Sequence, residues 1–152
     1  MTKYADRGKW AEGEADTWLK ATAAARVRFA YHRYPDARAA RGALAAQPCD
    51  YLVADGDSGF KIHLEVKETA NERRLPRDKV SQYGKLKMFW WAGIQPRILV
   101  YRSEQRDWVW FGPKLLFATD DAPTSWPLTD LPRYPTAAEA LRDIFFPVKE
   151  DL

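Results

Sequence analysis

The clearest pattern along the chain is a strict alternation of apolar and polar residues over the segment 60–67, FKIHLEVK. This period of two predicts a β-strand that buries one face. A shorter apolar run at 49–54 precedes it, and the segment 55–59, DGDSG, between them is a dense turn signal. The two runs therefore predict a β-hairpin.

Helical periodicity appears at both ends of the chain. In the segment 10–26, a helix is predicted because one face collects the residues spaced i, i+4, i+7, i+8 and i+11, which are Ala11, Ala15, Trp18, Leu19 and Thr22. Near the other end, Thr136 with Glu139 matches a capping box and predicts a final helix through about Phe146.

The remaining patterns predict further strands at 27–34, 98–101 and 108–111, a helix at 77–91, and a proline-rich loop at 118–135. The segment 37–46 is ambiguous between helix and loop. Trp10 is expected in the core, and His63 is expected to face solvent from its strand. The resulting order is helix, strand, hairpin, helix, hairpin, helix. It predicts one α/β domain over 1–152, with a central mixed sheet of about four to five strands flanked by helices.

Composition adds limits on where the protein acts. The 152 residues contain one cysteine, Cys49, so an intrachain disulfide is excluded and a reducing compartment is favoured. The N-terminal residues have no apolar stretch resembling a signal peptide, and no apolar run approaches the roughly 18 residues of a membrane span. We therefore expect a cytoplasmic protein without a membrane partner.

The charges are grouped, although the net charge is only +3. The segment 46–72 carries six acids and two bases, whereas the segments 1–45 and 73–87 carry nine bases against five acids and six bases against one. Basic flanks suit a polyanion, and carboxylates between them suit a divalent cation. Ordinary surface patterning would produce similar groups, so charge alone does not decide between the two.

Candidate chemistry centres on the predicted hairpin. Glu65 and Lys67 lie on the same face of their strand, and Asp50 begins the preceding strand. Glu12 lies beside the apolar face of the first helix. These carboxylates and the Val66 carbonyl are hard oxygen ligands for Mg²⁺, with Mn²⁺ able to substitute. Such a set could hydrolyse a phosphodiester, with Lys67 stabilising the developing negative charge. The alternative is an ion pair between Glu65 and Lys67 that contributes little.

Three short motifs resemble the PD-(D/E)xK nuclease superfamily, and within it the RecU-like Holliday junction resolvases. They are RGKWAE at 7–12, CDY at 49–51 and EVKET at 65–69, followed by Asn71, Leu75, Pro76 and Gln82. The resemblance covers roughly residues 4–117 and leaves 118–152 as a C-terminal loop and helix. The chain departs from the family in its hairpin turn, in Pro48 standing two residues before Asp50, and in a shorter segment 30–48. Phage endonuclease I type resolvases share the same arrangement of active-site residues, so the chain resembles a phage-encoded protein equally well.

The resemblance implies a restriction-endonuclease-like core and a homodimer that cuts four-way junctions in recombination or repair, in a bacterial cell or a phage-infected host. It implies Glu12, Asp50 and Glu65 as metal ligands and Lys67 as a catalytic residue. Arg7 is then a phosphate contact, and Gln82 lies near the site. The basic segment 73–87 supplies further predicted DNA contacts, which are Arg73, Arg74, Arg77, Lys79 and Lys85. Two alternatives remain: a related nuclease acting on other DNA, and a nuclease-fold DNA-binding protein without catalysis.

Overall fold

The computed structural model describes residues 3–35 and 47–148, with side chains from residue 7 onward. The ambiguous segment 37–46 lies outside the described residues. In chain order the elements are α1 (Lys3–Ala25), β1 (Phe29–Arg33), β2 (Tyr51–Asp55), β3 (Lys61–Thr69), β4 (Arg74–Pro76), a 3₁₀ turn (Arg77–Lys79), α2 (Tyr83–Trp91), β5 (Gln95–Arg102), β6 (Asp107–Phe111), α3 (Pro113–Leu116), β7 (Ser125–Pro127) and α4 (Ala137–Phe145).

In the described parts of the chain, five strands form the central sheet in the order β1-β2-β3-β5-β6. All neighbours are antiparallel except β3 and β5, which run parallel, so the sheet is mixed. A parallel pair needs a crossover connection, and here the crossover contains α2. The prediction of an α/β fold with a mixed sheet of about four to five strands flanked by helices is confirmed.

Two apolar layers cover the two faces of this sheet. On one face, α1 packs on β3, and α4 packs on α1, β5 and β6. Leu19, Leu64 and Leu141 belong to this apolar layer. On the other face, α2, α3 and the small β4–β7 sheet enclose residues such as Leu86, Val100 and Trp126. The segment 118–148 therefore packs on both faces of the sheet. Because side chains alternate along β3, Glu65 and Lys67 project on the α2 side.

The structure corrects several predicted boundaries. The first helix begins at Lys3 rather than near residue 10, since nothing in KYADRGK stops a helix. The helix predicted at 77–91 is wrong over 77–82, where a 3₁₀ turn and a loop come first and α2 begins at Tyr83. The loop predicted at 118–135 contains β7, which pairs with β4. At the final helix the cap prediction is confirmed, because the Thr136 hydroxyl accepts the Glu139 N–H.

None of the helices formed by the described residues is both long and apolar enough to cross a membrane.

Candidate active site

An open edge of β3 forms the centre of the candidate site. The β2–β3 ladder begins at the pair Tyr51 and Leu64, whereas β3 continues to Thr69. Beyond Leu64, no strand of the described residues pairs with the β2 side of β3, and the Asp50 carboxylate occupies this position by accepting the Val66 N–H at 2.8 Å. The Asp50 carbonyl in turn accepts the Tyr34 N–H at 2.9 Å. Asp50 is therefore fixed between the end of β1 and the middle of β3.

The Val66 carbonyl shares this edge. In a strand, the N–H and the C=O of one residue point to the same neighbouring strand. Because the Val66 N–H points to Asp50, its carbonyl lies on that side too. A backbone acceptor thus stands beside a carboxylate at the interrupted end of the ladder.

Glu65 and Lys67 meet on the α2 side of the same strand. The Lys67 Nζ lies 2.9 Å from Glu65 Oε1. The Glu65 side chain is almost fully buried, and a quarter of the Lys67 side chain remains exposed. The contact therefore joins an ammonium group to a largely buried carboxyl group, for which desolvation is costly, and is not the surface pair of the alternative interpretation.

The carboxyl groups of Asp50 and Glu65 repel each other when both are ionised. Burial, together with the charge of Asp50 and a hydrogen bond between the two carboxyl groups, raises the pKa of Glu65 to about 8, despite the opposing effect of Lys67. Two acids that share a site in this way do not both ionise easily near neutral pH. A cation at this position would offset that repulsion.

Lys67 keeps its charge. Burial alone would lower its pKa, but the charges of Glu65 and Asp50 outweigh burial, and the pKa is raised above its ordinary value. An ammonium group thus stands beside the carboxylates over the whole neutral range.

Glu12 approaches the site from a different direction. It lies on α1, on the opposite side of the sheet, and its Oε2 is 3.4 Å from Arg33 Nη2 at the end of β1. Its charge still contributes to the raised pKa of Lys67 and to that of Tyr51. The structure therefore brings Asp50, Glu65, Lys67 and Val66 together, and Glu12 acts on this group through its charge.

The oxygen donors at the edge of β3 suit a divalent metal in type more than in number. Within the described parts of the chain, no three His, Cys, Asp or Glu side chains are grouped so that they could hold a metal ion. The ligand types nevertheless fit a hard divalent cation, since two adjacent carboxyl groups and a backbone carbonyl meet at one edge. Glu12 would have to leave Arg33 to become a third carboxylate ligand.

Two neighbours of the site are inert in this arrangement. His63 was expected to face solvent, but it is buried against Phe89, and burial lowers its pKa to about 4. Its Nε2 lies 3.1 Å from the Tyr34 hydroxyl. Cys49 is buried, and burial raises the pKa of its thiol, so it does not act as a thiolate.

The predicted DNA contacts fall into two groups. Arg73, Arg74, Arg77 and Lys79 are exposed on and beside β4, where Arg74 Nη2 donates to the Ser125 carbonyl at 3.1 Å. Gln82 and Lys85 are half-buried at the start of α2. These six lie on the side of the sheet to which Glu65 projects. Arg7 lies on α1, against the end of β5, where its Nη1 contacts Ser103 Oγ at 3.4 Å.

Sequence reasoning missed Arg33 and Tyr34. Arg33 pairs with Tyr51 in the β1–β2 ladder, which places it beside Glu12, and Tyr34 fixes the Asp50 backbone. The available signal was their position at the end of the predicted strand 27–34. The pairing register, which the sequence alone does not specify, would have been needed to use it.

No profile of a known protein family matches this chain. No curated protein sequence is significantly similar to it. Among solved structures, the chain is similar to Hjc, a Holliday junction resolvase from the hyperthermophilic archaeon Archaeoglobus fulgidus. The two are 19% identical, the match covers 76% of this chain and 84% of that chain, and the TM-score is 0.47.

Proposed function

We propose that this protein is a metal-dependent DNA endonuclease that cleaves four-way junctions. The observation that carries the proposal is the meeting of Asp50, Glu65 and Lys67 at the open edge of β3. The buried Glu65 carboxyl group beside Asp50 and a charged lysine is costly for the fold, and strongly shifted pKa values of this kind cluster at functional sites.

Each group at the edge of β3 would have its own role in metal binding or in cleavage. Asp50, Glu65 and the Val66 carbonyl would hold Mg²⁺ or Mn²⁺, and Glu12 would join them after leaving Arg33. When bound, the cation supplies Lewis-acid stabilisation of charge at the scissile phosphate. The Lys67 ammonium can donate to a phosphate oxygen or hold the attacking water in place. Since Lys67 contacts Glu65 directly, its position is set before DNA arrives.

The substrate class follows from the charges around the site and from the sequence resemblance. Arg73, Arg74, Arg77 and Lys79 stand on the side of the sheet that carries Glu65, where DNA phosphates would be neutralised. Four-way junctions offer two equivalent scissile strands, and a two-fold homodimer presents two equivalent sites. We propose that such a dimer acts on branched DNA in the cytoplasm.

Cleavage of a four-way junction, a linear duplex and a single strand of the same sequence tests the substrate. The proposed function predicts Mg²⁺-dependent paired nicks at symmetric positions of the junction alone. Cutting of the linear duplex with equal efficiency would instead identify a nuclease of restriction or repair type. Tight junction binding without cleavage in either Mg²⁺ or Mn²⁺ would identify a binding protein and contradict the proposed activity.

A further inference from the structure

A second site lies on the opposite face of the sheet from Glu65, at the far end of β5. A cavity of about 340 Å³ opens there between the first turns of α1 and the β5–β6 turn. Its volume lies at the lower end of the roughly 300–1,000 Å³ typical of ligand pockets. The lining residues are Arg7, Trp10, Tyr101, Ser103 and Arg106.

The aromatic wall of this cavity is prepared for stacking. The Trp10 ring lies 4.8 Å from the Tyr101 ring and 5.9 Å from the Trp108 ring, measured between centroids. Even so, 47% of the Trp10 surface remains exposed, although the sequence places Trp10 in the core. A large aromatic residue that is supported from behind and open in front is the platform on which nucleobases stack.

The polar wall carries two guanidinium groups, one on the β5–β6 turn and one on α1. Arg102 is buried and forms a two-point contact with Asp107, with both distances 2.6 Å, which fixes the β5–β6 turn. Arg106 sits in that turn with a φ of 55°, a left-handed conformation that glycine adopts at lower cost. Arg7 contacts Ser103 from the helix side. A phosphate between the two arginines would therefore meet guanidinium donors from both sides of the cavity.

One acidic residue opposes an anion at the rim. Glu104 Oε1 lies 3.9 Å from Arg7 Nη1, and the Glu104 side chain is 65% exposed. Such a pair contributes little to stability, so a phosphate can displace Glu104 at small cost. The second carboxylate, that of Glu68, accepts the Ser103 hydroxyl at 2.6 Å and is buried beneath the cavity.

The cavity and the candidate active site share α1. Arg7 precedes Glu12 by five residues, which is about 7.5 Å along the helix. The cavity lies on the α1 face of the sheet, opposite Glu65, so it would hold a part of the DNA other than the scissile phosphate.

We propose that this cavity binds a single unpaired nucleotide of DNA, with its base stacked on Trp10 and its phosphate between Arg7 and Arg106. This inference rests on the proposed function for its ligand class, since it takes the ligand to be DNA. It assigns to the cavity the task of favouring DNA in which one base has left the helix.

The test measures binding without cleavage, in EDTA, so that its outcome does not depend on the metal site. The probe is a short single strand carrying one 2-aminopurine, whose fluorescence falls when the base stacks, with the fully paired duplex as comparison. We expect the wild-type protein to quench the single strand and to leave the duplex nearly unchanged. Trp10→Ala should abolish the quenching and weaken single-strand binding about tenfold.

Matched variants separate the cavity from general effects. Arg106→Gln should weaken binding and reduce the slope of log affinity against log salt by about one, as expected for the loss of one phosphate contact. Glu104→Gln should strengthen binding. Trp91→Ala is the control, because Trp91 is 71% exposed on α2, outside the cavity. If Trp10→Ala does not fold, Trp10→Phe replaces it, and we expect that variant to retain part of the quenching. The affinities of Arg106→Gln and Glu104→Gln then complete the test.

Two results would overturn the cavity assignment. The first is unchanged quenching in Trp10→Ala. The second, used if Trp10→Ala does not fold, is unchanged quenching in Trp10→Phe together with unchanged affinity in Arg106→Gln and Glu104→Gln. Either result would leave the nuclease proposal standing. Conversely, a protein that quenches the probe as expected but never cuts DNA would retain the nucleotide site and lose the proposed function.

Discussion

The Asp50 carboxylate takes the place of a missing strand by accepting the Val66 N–H at 2.8 Å. The same contact places a negative charge beside the buried Glu65 carboxyl group and raises its pKa. The Asp50 side chain thus accepts the Val66 N–H at the edge of β3 and also repels the Glu65 carboxyl group. A bound cation would relieve that repulsion. The fold and the candidate chemistry depend on the same residue, and substitutions can separate them.

Asp50→Asn and Asp50→Ala should differ in stability but agree in activity. The Asn amide oxygen can still accept the Val66 N–H, and the repulsion with Glu65 disappears, so we expect stability equal to or above that of the wild type. Asp50→Ala leaves a backbone donor without its partner and should cost about 1–3 kcal/mol. Denaturant unfolding measures the difference, and both variants should lose metal-dependent cleavage. Equal stability of the two variants would show that the contact to Val66 contributes little.

The raised pKa of Glu65 predicts how stability changes with pH. A folded pKa near 8 against 4.5 in the unfolded chain means that the folded state holds a proton more tightly. This contribution to stability is complete below about pH 4.5 and is lost as the pH rises toward 8, at no more than about 1.4 kcal/mol per pH unit. In metal-free buffer, Glu65→Gln should therefore gain stability relative to the wild type across this window.

Lys67 does not interfere with that measurement, because its pKa is raised from an already basic value and it stays charged throughout. Glu14→Gln serves as the control, since Glu14 is exposed on α1. Parallel stability curves for the wild type and Glu65→Gln between pH 5 and 8 would contradict the buried, protonated carboxyl group.

The hairpin that carries the site was predictable because its signal is local. The alternation from Phe60 to Val66 and the turn at 55–59 indicate two neighbouring strands, and the structure forms them as β2 and β3. The final helix was likewise predictable from its own cap at Thr136. In each case residues close in sequence specify the element.

Features that depend on distant contacts were not predictable. The segment 77–82 has polar and apolar residues at helical spacing, yet β4 pairs with β7 from about 50 residues later and holds the chain in another conformation. His63 alternates with apolar residues and was expected to be exposed, but α2 covers it through Phe89. Sequence periodicity does not show that both faces of β3 are buried.

Glu12 and Glu14 provide a matched pair on one helix. Glu12 acts on Lys67 electrostatically and contacts Arg33, whereas Glu14 is exposed. We expect Glu12→Gln to lower the cleavage rate at least tenfold and Glu14→Gln to leave it unchanged, measured under single-turnover conditions with Mg²⁺. Arg33→Ala, which removes one cationic contact of Glu12, should lower the Mg²⁺ concentration needed for half-maximal cleavage. Equal effects of the two glutamate substitutions would remove Glu12 from the site.

The basic residues beside β4 should contribute to affinity without selecting sequence. Replacing Lys79 or Arg73 by Ala should weaken junction binding uniformly and reduce the slope of log affinity against log salt by about one each. Arg142 is exposed on α4, across the sheet, and Arg142→Ala is the control. A slope that changes with Arg142 but not with Lys79 or Arg73 would place the DNA on the other face.

The most direct test of the central claim is cleavage of a four-way junction by the wild type, Glu65→Gln and Lys67→Ala, in Mg²⁺ and in EDTA. Circular dichroism on the same samples verifies that each variant is folded. We predict paired nicks by the wild type in Mg²⁺ alone, and a loss of cleavage in both folded variants with junction binding retained. Full cleavage by either folded variant would contradict the assignment of the active site to the open edge of β3.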